Sequence, residues 1–172
     1  MPFLLAILAA IGGAIFWWAR SNPRDALGVA DDVVTAARNA PRKLAFRRQT
    51  KEHPVEGIDD PRIAIAMVGR AYIALDDLPT REAHRRLHDM ARILWKLDDD
   101  AADEVLSLAD WLVDQCQGAA PAVSRGARRL YKIDGAASWG EVERLLGALD
   151  EGAPTERQQD AVADVRQALH LR

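Results

Sequence analysis

Cysteine is nearly missing from this chain. Cys116 stands alone among 172 residues, so no disulfide can close within the chain and no cysteine-based zinc site can form. The short signatures of familiar chemistry are missing too. There is no G-x-S-x-G elbow to expose a nucleophilic serine, no Walker loop and no G-x-G-x-x-G to cradle phosphates. No period-two alternation is long enough for a strand. Positive charge is scarce beyond residue 51, where 15 Lys/Arg face 23 Asp/Glu. A body that acidic is unsuited to nucleic acid, which requires a clustered positive surface.

What is present begins with an uncharged run, FLLAILAAIGGAIFWWA, at residues 3–19. As a helix it rises about 25 Å, close to the ~30 Å hydrocarbon layer. Trp17 and Trp18 stand at its end, where aromatic rings favour the headgroup zone. A cleavable signal peptide wants positive charge before its apolar run, yet only Met1 and Pro2 precede this one. The charge comes after it, since residues 1–51 hold eight Lys/Arg against three acids. Residues 1–20 are therefore read as a transmembrane anchor, with the following chain on the cytoplasmic side of a bacterial inner membrane. Residues 21–57 form a basic juxtamembrane helix and linker. Leu27, Ala30, Val34 and Ala37 have helical spacing. Arg42, Lys43, Arg47 and Arg48 flank Leu44 and Phe46, and each such charge near anionic lipid adds about 1 kcal/mol of attraction.

From residue 58 every segment reads as helix. Asp60-Pro61 is a cap followed by proline at the first helical position. The run RIAIAMVGRAYIAL is apolar on nearly all sides, which marks a central helix. Thr80 caps the next, with Leu87, Met90, Ala91, Leu94 and Leu97 in one stripe. Asp98–Asp100 supply acid at a third N-terminus, and Val105, Leu108, Ala109, Leu112 and Cys116 make its stripe. That spacing places Cys116 as a small buried apolar residue. Pro121 is expected to open a fourth helix. Ser138 with Glu141 is expected to box a fifth, and Thr155 with Gln158 a sixth. Six short helices joined by brief loops predict an all-α bundle.

Two of the loops look related. AYIALDDLPTREAHRRL (71–87) and LYKIDGAASWGEVERLL (130–146) each carry an Asp, a turn residue, a capping hydroxyl and a Glu. Asp76 answers to Asp134, Asp77 to Gly135, Thr80 to Ser138, and Glu82 to Glu141 one residue out of step. This repeated pattern resembles the TerB-like domain of tellurite-resistance proteins, over residues 58–172. A comparable domain follows a single transmembrane helix in membrane-anchored DnaJ-like co-chaperones. The first loop departs from the pattern, with Asp77 where glycine is usual. The resemblance implies an all-helical fold, a link to metal or stress response, and work through partner proteins rather than a reaction. The chain is not itself a J-protein, because His53-Pro54 is followed by Val55.

The same residues carry the candidate chemistry. Asp76, Asp77 and Glu82, and separately Asp134 and Glu141, offer oxygen ligands for a divalent metal, although neither loop has an EF-hand's acid ladder. His84 and His88 have the i, i+4 spacing of a shared zinc, but RRL between them excludes a zincin and a solvated face is the plainer reading. Trp139, just after a cap, is either core or an anchor for a partner protein. The functional expectation is therefore not an enzyme but a membrane-anchored interaction module. Its roles would be an accessory subunit, an assembly factor or a stress-response adaptor of a membrane complex, with lipid and other membrane or cytoplasmic proteins as partners. The alternative is a metal-sensing domain using the paired acidic loops. No other cofactor is implied.

Overall fold

The computed structural model describes residues 53–171 apart from Asp77 and Glu151. The expected anchor with Trp17 and Trp18, the expected juxtamembrane helix, and Arg42, Lys43, Arg47 and Arg48 all lie outside the described residues. Within them there are six α-helices and no strand. After a 3-10 turn at Pro54–Gly57 come α1 (Pro61–Ile73), α2 (Arg81–Trp95), α3 (Asp99–Gln115), α4 (Ala119–Asp134), α5 (Trp139–Leu149) and α6 (Glu156–Ala168). Among the described residues no helix is long and apolar enough to cross a membrane.

The helix starts follow local chemistry. The Asp60 carboxylate accepts from the Arg62 amide at 2.9 Å, with Pro61 at the first helical position. Thr80 Oγ1 accepts from Ala83 N at 3.0 Å, and Asp98 Oδ1 accepts from Ala101 N at 2.9 Å. Thr155 and Gln158 form the reciprocal box at the head of α6. Two starts differ from expectation. α4 begins at Ala119, so Pro121 sits third in the helix, where its missing N–H removes no intrahelical bond. At Ser138 the box does not form. Its backbone (φ −80°, ψ 0°) is not the extended geometry of a capping serine, and no side-chain cap bond is made.

Packing centres on α1, whose residues from Ile63 to Ile73 are buried except Arg70. It touches α2, α3, α4 and α5, while α6 lies against α4. Two small residues permit the close approaches. A Cβ on Gly69 would lie 2.9 Å from Leu87 Cδ1 and 3.0 Å from Leu145 Cδ2. One on Gly126 would lie 3.0 Å from Val68 Cγ2 and 3.6 Å from the Ala64 carbonyl. Leu112, Leu130 and Leu145 are fully enclosed, each worth roughly 1.5–3 kcal/mol of burial. Cys116 is buried as its spacing predicts, and that burial pushes its thiol above the ordinary range. The packed body also reaches back beyond residue 58. Val55 is fully buried, Lys132 pairs with Glu56 at 3.0 Å, and His53 Nε2 lies 3.0 Å from the Gln115 carbonyl.

Candidate functional site

The two loops that look alike in sequence differ in structure and line different cavities. Asp76, just past α1, is half-buried, and its Oδ1 accepts from Leu78 N at 3.2 Å, an Asx turn. It lines a cavity of about 210 Å³ with Tyr72, Thr80, Asp150, Thr155 and Gln158. Asp77 lies outside the described residues, and Glu82 is ion-paired to Arg85 one turn along α2. In that cavity the enclosed Tyr72 hydroxyl donates to Asp150 Oδ1 at 2.5 Å. Burial, reinforced by this bond, pushes the phenol well above its usual range. Gln158 Nε2 reaches the Tyr72 carbonyl at 3.4 Å near the end of α1. Nothing near either residue in sequence predicts the Tyr72–Asp150 pair, which spans 78 positions.

The second loop builds the more open site. Gly135 takes φ +69°, as the turn after α4 requires. This bend lets Ser138 donate its hydroxyl back to Asp134 Oδ2 instead of capping α5. Glu141 is likewise diverted, accepting from Trp95 Nε1 of α2 at 2.9 Å. Both carboxylates line a cleft of about 720 Å³ together with Asp59, Asp60, Arg62 and Trp95. The Asp60 carboxylate is already forked onto Arg62 (Nε–Oδ1 3.0 Å, Nη2–Oδ2 2.6 Å), which raises the guanidinium pKa. The other oxygen of Asp134, Oδ1, is buried and accepts no hydrogen bond from any described residue.

That orphan oxygen sits where it is least favoured. Asp134 is the last residue of α4, at the negative end of the helix dipole, and it shares its cleft with three more carboxylates. Asp134→Asn keeps an acceptor for Ser138 while removing the charge. It is expected to stabilise the body by roughly 1 kcal/mol, read as a higher urea midpoint at unchanged slope. Sequence reasoning placed Asp134 and Glu141 together but missed Trp95, Asp59 and Asp60 as their neighbours. Asp60 announces only a cap, and Trp95 gives no local sign of its partner.

The remaining candidates have structural employment. His84 is exposed, its Nδ1 2.9 Å from the Thr80 carbonyl, whereas His88 Nε2 lies 3.2 Å from Asp103 of α3. The two rings thus serve different neighbours. Among the described residues no group of three or more His, Cys, Asp or Glu is arranged to hold a metal ion. Trp139 is half-buried against the core, with the Arg166 guanidinium 5.2 Å from its ring centroid. Trp111 is likewise packed against the core. Compared with family models, with curated proteins and with solved structures, the chain matches none.

Proposed function

We propose that this chain is a membrane-anchored docking module of the bacterial inner membrane, with a TerB-like helical body on the cytoplasmic side. The body recruits a partner protein by a cationic side chain received in the Asp59–Asp60–Asp134–Glu141 cleft. The observation that carries the reading is Asp134 Oδ1, a buried acceptor with no donor among the described residues, in a cleft whose carboxylates come from three separate segments. A lysine or arginine from a partner would supply the missing donor through a charge-assisted bond. The cleft's size, about 720 Å³, suits a long side chain better than a bare ion. This is the chemistry of an accessory subunit or of an assembly or stress-response adaptor in a membrane complex.

The test is isolation of the full chain from membranes in mild detergent, wild type beside Asp134→Asn/Glu141→Gln. The wild type is expected to retain a stoichiometric partner, and the double variant to lose at least tenfold of it. Because Asp134→Asn is expected to stabilise the fold, loss of the partner would not be a symptom of unfolding. Recovery of the chain alone, or of an equal amount of partner with the variant, sinks the reading. The metal alternative rests on the same orphan oxygen. Titration with Ca²⁺, Mg²⁺, Mn²⁺ or Zn²⁺ giving micromolar heat that vanishes in Asp134→Asn would replace the docking reading with that one.

A further inference from the structure

Charge on this acidic body is sorted by helix. α2 with its cap residue Lys96 carries five Lys/Arg against Glu82 and Asp89. At 100° per residue, Arg81, Arg85, Arg92 and Lys96 fall within a sector of about 60°. That sector lies opposite the buried Leu87 and Ala91, and all four side chains are exposed. Among the described residues no carboxylate pairs with Arg81 or Lys96. Arg85 and Arg92 pair only with Glu82 and Asp99, at the surface, where such bonds are weak and readily exchanged. Among the described residues the two most exposed large apolar ones flank this helix sector: Leu78, 80% exposed, in the turn before α2, and Ile93, 69% exposed, about 100° around the helix from Arg92 and past Asp89.

α4 offers the instructive contrast. It is also rich in Lys/Arg, yet Lys132 is held by Glu56 and Arg128 Nε by the Ser124 carbonyl. Its exposed aromatic, Tyr131, packs tilted against the His170 ring with centroids 4.5 Å apart. On α2 the cations Arg81 and Lys96 have no such partner among the described residues, and the exposed apolar residues near them, Leu78 and Ile93, stack on no other ring or charge there.

We propose that the outer face of α2 is a membrane-surface contact, resting on anionic headgroups with Leu78 and Ile93 entering the headgroup zone. The inference rests on the anchored reading above. The basic sector runs about 22 Å along the helix from Arg81 to Lys96, an extended row of charge that matches a planar array of negative charge. Exposed basic and apolar residues on the outer half of one helix are what an interfacial contact uses. A body tethered to a bilayer meets that surface at high effective concentration, so individually weak contacts suffice.

The test uses the full chain in nanodiscs of phosphatidylcholine, with or without one quarter phosphatidylglycerol. Hydrogen exchange is followed in peptides covering residues 78–96. Exchange there is expected to slow at least threefold in the anionic discs. The effect should be lost in 0.5 M NaCl and in Arg81→Glu/Arg92→Glu/Lys96→Glu, and kept in Arg125→Glu/Arg128→Glu. All substituted positions are exposed, and circular dichroism checks that the variants remain folded. A chain that inserts but exchanges equally in both discs overturns this proposal alone, as does protection that survives charge reversal. Equal protection in both discs, marking a face covered by a second copy, overturns it as well. A chain that stays out of the discs overturns the anchor and this contact together. The partner-retention experiment tests the cleft independently of both.

Discussion

Gly126→Leu is expected to lower the stability of the helical body by about 2 kcal/mol, a large share of a small domain's total. The reason is distance. Already at Cβ the new side chain meets Val68 Cγ2 at 3.0 Å, with the Ala64 carbonyl and Met67 Sδ at 3.6 Å. The remaining carbons would have to displace α1, whose own residues are buried on nearly every side. Leucine's better helix propensity, worth about 0.8 kcal/mol over glycine, offsets only part of this. Gly147→Ala is the matched control, since a Cβ there meets nothing within 4 Å. It should raise stability by about 0.5–1 kcal/mol. Urea unfolding of the full chain in mild detergent, followed by circular dichroism, reads both. If the two variants moved in the same direction, the close packing of α4 on α1 would be wrong.

The second large effect concerns alkaline pH. Folding raises the Tyr72 phenol above its ordinary value of 10.0 because the ring is buried and its hydroxyl donates to Asp150. A group whose folded pKa is raised contributes its full stability below the unfolded pKa. That contribution is lost as pH climbs from about 10 through the folded value. Wild type should therefore lose up to about 1.4 kcal/mol per pH unit above pH 10 that Tyr72→Phe does not lose. Below pH 10 the order reverses. There Tyr72→Phe is expected to be the less stable by about 1 kcal/mol, having given up the bond to Asp150. The two stability curves should then cross between about pH 10 and 11.5. The raised Cys116 thiol adds its own alkaline dependence, but equally to both proteins, so it cancels in the difference. Parallel curves would show that Tyr72 keeps its proton by no special means.

The fold was legible because its signals are local. Helix N-termini at Asp60, Thr80, Asp98 and Thr155 announce themselves through side chains that bond amides two or three residues on. Helical spacing marks the buried stripes, and the unbroken apolar run of α1 marks the centre. The failure at Ser138 is equally physical. A hydroxyl and a carboxylate three residues apart fit a capping box, but Asp134 and Trp95 compete for them. The likeness between the loops at Asp76 and Asp134 is likewise one of residue types, since one makes an Asx turn and the other an orphaned carboxylate.

By itself the sequence determined the helical class, the helix starts at Asp60, Thr80, Asp98 and Thr155, the burial of Cys116 and the absence of familiar catalytic signatures. Each follows from interactions spanning a few residues, whose energies do not depend on the rest of the fold. Only the tertiary structure decided which carboxylates share a cleft, that Tyr72 bonds Asp150 across 78 positions, and that Glu141 serves Trp95 rather than its own helix. Those outcomes depend on which helix faces meet around α1, and that is set by the packing of the whole core.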